Sequence, residues 1–430
     1  MTGDAVTLGR RMHDLIRELY PICRSITGDG LRATLQRLGA DIPLTLHEVP
    51  TGTQVLDWTV PREWNVRDAY VANAAGERVI DFRRSNLHLL NYSVPVRRRM
   101  SLAELRSHLH TLPDRPDWVP YRTSYYAEAW GFCLTQRQLD ALPDGAYEVV
   151  IDTTLEPGNL TYGECLIRGS STDEVLISCH SCHPSLANDN LSGMAVAVAL
   201  AQWAQAEPRR LSYRFLFIPG TIGSITWLAR NEAVTPRVAH GLVLSCVGDR
   251  GGFTYKKSRR GTAVVDRAVQ HVLARSGAPH RIVDFIPYGY DERQYCSPGF
   301  NMPVGCFMRS PNGEFPEYHT SADNVDFVSP ESLVDSYRML TTVLEILEYD
   351  RRFMNTNPQG EPQLGRRGLY TPTGGHTRLP GFEMALLWVL NYSDGTHSLL
   401  DIAERAAVPF ATIKQAADAL LRTGLLAEIA

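Results

Sequence analysis

The second half of the chain sets the architecture. From about residue 145, short apolar runs recur with helical stretches between several of them: "YEVVIDT", "VLISC", "YRFLFIP", "GLVLSCV" and "MPVGCFM". The segments "MAVAVALAQWAQA" (194–206) and "ESLVDSYRMLTTVLEILEYDRRF" (331–353) read as helices. Short runs that stay apolar along their length read as strands buried on both faces, and such a sheet needs helices on each side. The class is therefore α/β. Ligands of such sheets bind at the carboxyl ends of the strands. The polar loops lie there: His180 follows "VLIS", Gly220 follows "RFLFIP", and Asp249 follows "LVLSCVG".

The flanking segments differ in texture. "GRRMHDLIRELYPICRSITGDGLRATLQRL" reads as two helices with a turn at Thr27–Gly30, and Leu15, Ile16 and Leu19 share one helical face. Residues 46–140 are rich in short Trp, Tyr, Val and Pro segments and read as a β-rich insert. Residues 355–375 form a Pro/Gly-rich linker. Beyond it, 376–430 gives three short helices ending in Gly424 and an apolar pair, the pattern of a winged helix. The expected plan is N-terminal helices of the core over 1–45, the insert over 46–140, the core over 141–354, the linker, and the winged helix. At roughly 150 residues per domain, two or three domains suit this length.

Composition removes several function classes. No run of about 18 apolar residues is present, so a membrane-spanning helix is not expected. The N-terminus is polar and amphipathic, and eight cysteines are too sparse for a disulfide framework. A cytoplasmic location follows as the expectation. A net charge of −4 gives no electrostatic case for nucleic acid or a membrane surface. Residues 381–430 hold six acidic and three basic side chains, a poor match to phosphates. Docking, or homo-oligomerisation through the winged helix, is the expected role of that segment. The triple arginine Arg97–Arg99 reads as a solvated turn.

The stretch "VLISCHSCHPSLANDNLSG" carries the chemistry. A catalytic zinc site needs about three ligands from His, Asp, Glu or Cys, plus an open position. His180 ends a strand, Asp189 stands just before a helix, and "EYHTSADN" puts His319 in a polar loop before another helix. Three strand-end loops can converge on one sheet edge. A lone histidine at a strand end is more often hydrogen-bonded structure than a ligand. The order His…Asp-Asn-x-Ser-Gly…His-Thr-x-x-Asp on an α/β frame tips the balance to metal.

"SLANDNLSGMAVAVALA" resembles the "A-N-D-N-A-S-G" segment of zinc aminopeptidases of the leucyl aminopeptidase and glutaminyl cyclase type. More closely, "LYPICRSITG", "DWTVPREWNVRDAY", "SCHPSLANDNLSG" and "YDERQYCSPGFN" resemble bacterial aminopeptidase-like domain proteins with a C-terminal winged helix. These are often found near polysaccharide or natural-product biosynthesis genes. The resemblance implies a zinc-exopeptidase-like fold with a mixed, mostly parallel sheet. It implies His180, Asp189 and His319 as metal ligands, and "GYDERQYCSPGFNMPVG", with Asp291 and Glu292, as a loop bordering the substrate.

The departures are specific. The family's Glu-Glu pair, one general base and one ligand, is replaced by Gly220-Thr221. Its next metal Asp falls at Ser245 or Cys246, with Asp249 a little later. A two-zinc site is therefore not expected. Either Cys182, His183 or Cys246 adds a ligand, or one zinc, or another divalent metal, binds through His180, Asp189 and His319; the second is the expectation. Glu292 is then the expected base, flanked by Arg293, with Glu317 the alternative. Asp291, Arg293 and Arg259, the last in the basic loop "TYKKSRRG", are expected to contact substrate. "TSYYAEAWGFC" (123–133) offers ring faces that wall a pocket or pack insert on core. The leading function is a metal-dependent amide hydrolase for a small-molecule or short peptide-like aminoacyl or acyl-amide substrate. A binding scaffold on a hydrolase-derived core, or a metabolite-sensing regulator, are the rivals.

Overall fold

The computed structural model describes residues 3–369 and 381–429, so the end of the expected linker lies outside the described residues. The chain forms two compact units, Met1–Asp266 with Ala278–Leu340, and Arg267–Gly277 with Thr341–Ala430. No described helix is long and apolar enough to cross a membrane.

The first unit is built on an eight-stranded sheet. Its order is Thr45–Pro50, Asn159–Ile167, Ser212–Ile218, Glu174–His180, Val238–Leu244, Val304–Met308, Phe253–Lys256 and His280–Val283. The four strands from Ser212–Ile218 to Val304–Met308 run parallel. Antiparallel pairings flank them, so the sheet is mixed as expected. Every residue of Glu174–His180 and Ser212–Ile218 is buried, which is why these runs lack polar alternation. The helix Gly193–Gln205 is buried along most of its length, from Met194 to Ala201. Two helices, Gly3–Leu19 and Asp29–Leu38, precede the sheet as the periodicity predicts.

Three expectations need correction. "YEVVIDT" is not a strand of the main sheet. Ala146–Glu156 alternates, burying Tyr147, Val149 and Ile151 and turning Glu148 to solvent, the period of a half-buried strand. It pairs antiparallel with Glu63–Ala72 and Val96–Ser101, and Arg78–Asp81 completes a separate four-stranded sheet. Conversely Thr45–Pro50 is an edge strand of the main sheet. The insert thus runs from about residue 51 to 156. Arg97–Arg99 occupy exposed positions of a strand, not a turn.

One segment of the insert reaches the main sheet's loops. Pro120 bridges to Thr320, Tyr121 N–H donates to the His319 carbonyl at 2.8 Å, and Ser321 N–H donates to the Val119 carbonyl at 2.8 Å.

The second unit contains the helices Phe382–Tyr392, Leu399–Arg405 and Phe410–Arg422 around a core of Leu386, Val389, Ile402, Ile413 and Leu420. Its small sheet orders Asp394–Ser398, Arg352–Asn355 and Leu426–Glu428. The sequence pattern places the start of the middle strand at the end of a core helix. That helix stops at Tyr349, and Arg352–Asn355 alternates exposed and buried residues between its two partners.

Candidate metal centre

The Glu174–His180 strand delivers His180 at its carboxyl end, and the chain then turns through His183 into a wide helical turn, Ala187–Ser192. Each polar residue of "ANDNLSG" holds that turn. The Asp323 carboxylate accepts from Asn188 N–H at 2.6 Å and Asp189 N–H at 3.0 Å. Asn188 Nδ2 donates to Asp249 Oδ2 at 2.9 Å, and its Oδ1 accepts from Gly248 N–H. Asn190 Nδ2 donates to the Leu244 carbonyl at 2.8 Å, and Ser192 Oγ to the Asn188 carbonyl at 2.7 Å. Gly193 is needed because a Cβ there would stand 2.4 Å from Asn190 Oδ1. These contacts leave the Asp189 carboxylate facing the histidines.

Three imidazoles converge on it. His180 Nε2 lies 2.7 Å from Oδ1, His319 Nε2 lies 2.9 Å from Oδ2, and His183 Nδ1 lies 3.2 Å from Oδ2. The His180 and Asp189 side chains are fully buried, whereas His319 is a third exposed. His319 sits at φ 55°, a left-handed conformation uncommon for histidine, and its carbonyl is held by Tyr121. Burial pushes the His180 imidazole down to about 4, although Asp189 opposes the shift, and burial also lowers His319. Burial alone would raise the Asp189 carboxyl, but the facing His183 and His180 hold it well below the usual range. Unprotonated imidazole and ionised carboxylate are the forms in which these side-chain types bind a metal. His180, His183 and Asp189 bring ligand atoms within 4.8 Å of one another. The donor set fits a divalent cation of the zinc type.

Tyr290 closes one side, and the sequence reading passed over it. Its ring stacks on His180 at 3.7 Å between centroids, and its hydroxyl lies 3.1 Å from His183 Nε2. A Cβ at Gly220 would meet Tyr290 Cε1 at 2.1 Å. The available signal was the aromatic run "YGY" directly before Asp291.

A family model described as a domain of unknown function (DUF4910) matches residues 13–350. The chain belongs to the DUF4910 family. A second model, described as a winged helix-turn-helix, matches residues 351–428, which includes the strand Arg352–Asn355. A Clostridium acetobutylicum protein, provisionally named a polysaccharide biosynthesis protein with an aminopeptidase-like domain, is 52% identical over 418 residues. That match covers 97% of this chain and 96% of the relative. A crystal structure from the same organism, provisionally described as a peptidase, has TM-score 0.95 at 50% identity and covers 99% of this chain and 98% of its own. BSAP, a zinc aminopeptidase from Bacillus subtilis, shares the fold at TM-score 0.56 and 12% identity, over 79% of this chain and 95% of its own. The first unit of this DUF4910 chain is thus aminopeptidase-like in fold.

The other expected site residues of the DUF4910 domain are distributed as follows. Cys182 lies near the Gly220 carbonyl and the Tyr290 hydroxyl, at 3.8 and 3.9 Å. Cys246 lies 3.3 Å from Asn312 Oδ1. Burial raises both thiols, Cys182 to about 12, against the thiolate a metal needs. Asp249 accepts from Asn188 and Ser310 and supports the turn from behind. Glu292 is buried against Lys256, not Arg293, and accepts from Tyr290 N–H. A carboxylate already paired with an ammonium is badly placed to take up a proton, which disfavours it as the base. Its neighbour Asp291 is fully buried, accepts from Ser224 Oγ at 2.7 Å, and has no hydrogen-bond partner at Oδ2 among the described residues. Burial, aided by Glu292, pushes Asp291 up to about 7 despite the Ser224 hydrogen bond. Arg259 Nη1 donates to Asn301 Oδ1 at 2.9 Å, and Arg293 is half-buried beside Glu292. Glu317 gives its carbonyl to Thr320.

Proposed function

We propose that this chain is a metal-dependent amide hydrolase, acting on a small aminoacyl or acyl-amide substrate in polysaccharide assembly. The observation that carries the proposal is the convergence of His180, His183 and His319 on the buried Asp189 carboxylate. The name of the Clostridium relative supports the polysaccharide context.

Asp189, His180 and His319, with His183 beside them, would hold one zinc or other divalent ion. Such an ion supplies Lewis acidity toward a carbonyl oxygen and acidifies water. The chain supplies the rest. Asp291 Oδ2 is the proposed proton acceptor, in place of Glu292, because it is unpartnered and tuned toward neutrality. The Tyr290 hydroxyl, held protonated by burial, stays a donor beside His183. Gly220 leaves room for that ring.

Elemental analysis of the purified protein tests the reading, together with a panel of aminoacyl and N-acyl amines. About one metal per chain in the wild type, lost in His319→Ala, is expected. Equal metal in both, or no hydrolysis of any amide with metal bound, would remove the proposal in favour of a scaffold.

A further inference from the structure

The aromatic segment "TSYYAEAW" is not used by the metal centre, and it lines a separate cavity of the insert. The cavity measures about 340 Å³ and is bounded by Val60, Arg62, Tyr92, Tyr125, Tyr126 and Glu128. Two large rings at this face stay open to solvent: Trp58 is 44% exposed and Tyr126 55% exposed, with centroids 5.2 Å apart. Arg62 and Glu128 form an ion pair beside them. The cavity is tied to the metal centre through two hydroxyls. Tyr125 and Tyr121 share a hydrogen bond of 2.7 Å, and Tyr121 stands edge-on to both His183 and His319 at 5.1 Å.

We propose that this face is a subsite for a pyranoside ring, the glycosyl part of the amide substrate; the assignment rests on the amide hydrolase reading above. A pyranose has an apolar C–H face and a rim of hydroxyls. The first matches exposed aromatic faces, which give contact area at little entropic cost. The second matches charged hydrogen-bonding groups at the edge. Arg62 and Glu128 offer one cation and one anion already neutralising each other, so the pair can turn to hydroxyls but favours neither an acidic nor a basic ligand. An aliphatic peptide side chain would use the rings and leave that pair without a role. Continuity through Tyr125 and Tyr121 puts the sugar on the approach to the histidines.

Saturation-transfer NMR on the full chain tests this, with methyl N-acetyl-β-glucosaminide and its β-linked disaccharide as probes and a Leu-Leu dipeptide as comparator. Ring C–H protons of the saccharides should be saturated by the wild type. Affinity should fall about ten-fold in Tyr126→Ala and in Trp58→Ala, recover in Trp58→Phe, and persist in His319→Ala. Both aromatic positions are exposed, so the variants should fold. No saccharide signal, or one unchanged by both alanine variants, overturns the subsite. A dipeptide signal lost in Tyr126→Ala without any saccharide signal reassigns the face to peptide side chains. Saccharide binding without any amide hydrolysis keeps the subsite and sinks the hydrolase reading; hydrolysis without saccharide binding does the reverse.

Discussion

Gly220 and Tyr290 exclude each other's growth: a Cβ at position 220 would lie 2.1 Å from the Tyr290 ring. The ring in turn stacks on His180. A glycine just past a buried strand is thereby part of the wall around the His180–Asp189 cluster.

Gly220→Ala should therefore displace Tyr290 or strain the strand end. Overpacking of this kind costs about 1–3 kcal/mol. A lower Tm together with altered tyrosine and histidine NMR shifts is expected; a variant with unchanged Tm would show that the ring moves freely.

The two adjacent acids should separate under mutation. Asp291→Asn is expected to lower turnover by about 10²–10⁴-fold with metal content unchanged. Glu292→Gln takes the carboxylate from buried Lys256, which keeps its bonds to the Ile286 and Tyr288 carbonyls, and breaking a buried ion pair costs up to about 3–5 kcal/mol. Its main effect should be on denaturation midpoint, and a companion Lys256→Met should restore part of that loss. If Glu292→Gln abolishes turnover at wild-type stability, Glu292 is the base after all.

Asp291 also predicts a pH dependence. Its carboxyl is raised from the ordinary value near 4 to about 7 by burial. Below about 4 both folded and unfolded states are protonated, and the group adds no dependence. Between about 4 and 7 the unfolded state ionises first, so its contribution to stability falls as pH rises, then levels off above 7. Asp291→Asn should remove this slope. Relative to its value at pH 4, the variant should gain up to about 4 kcal/mol on the wild type by pH 8. Parallel urea-denaturation curves across that range would refute the assignment.

The winged-helix unit should not bind DNA tightly. Its matched residues 351–428 carry eight basic side chains against seven acidic ones, close to balance and short of the basic excess that phosphates call for. Lys414 is paired with Asp418, and Arg405 lies over the Tyr392 ring at 4.7 Å. Gel-shift titrations of the full chain with duplex DNA at low salt should show no submicromolar complex; a tight, salt-sensitive one would favour the regulator reading.

Much of the core could be read from the residues because buried parallel strands have a distinctive texture. "VLISC" and "YRFLFIP" are mostly apolar because both faces are covered, and the exceptions are buried, with Ser178 bonded to Tyr295 and Arg214 paired with Glu164 and Glu174. "YEVVIDT" misled because its polar positions are few, and only strand pairing reveals which sheet it joins. That His180, Asp189 and His319 come together was legible from spacing and resemblance; His183, which the sequence offered only as an added ligand, groups with His180 and Asp189 as well. The partner of Glu292 was not. Lys256 lies thirty-six positions upstream, and no local pattern joins them. Tyr290 escaped for a similar reason, since its ring comes to lie on His180 only because a glycine seventy residues away makes room.

The hydrogen bond from Tyr121 to the His319 carbonyl has a mechanical consequence. Of the histidines around Asp189, His180 and His183 belong to one continuous stretch of chain, but His319 comes from a distant loop pinned by the insert. The insert is therefore a splint for that loop. Shortening or exchanging residues 51–156 would remove the Tyr121 and Val119 bonds at its His319 end even if every side chain at the centre were kept, and would leave in place its Asp323 bonds to the backbone of 187–189.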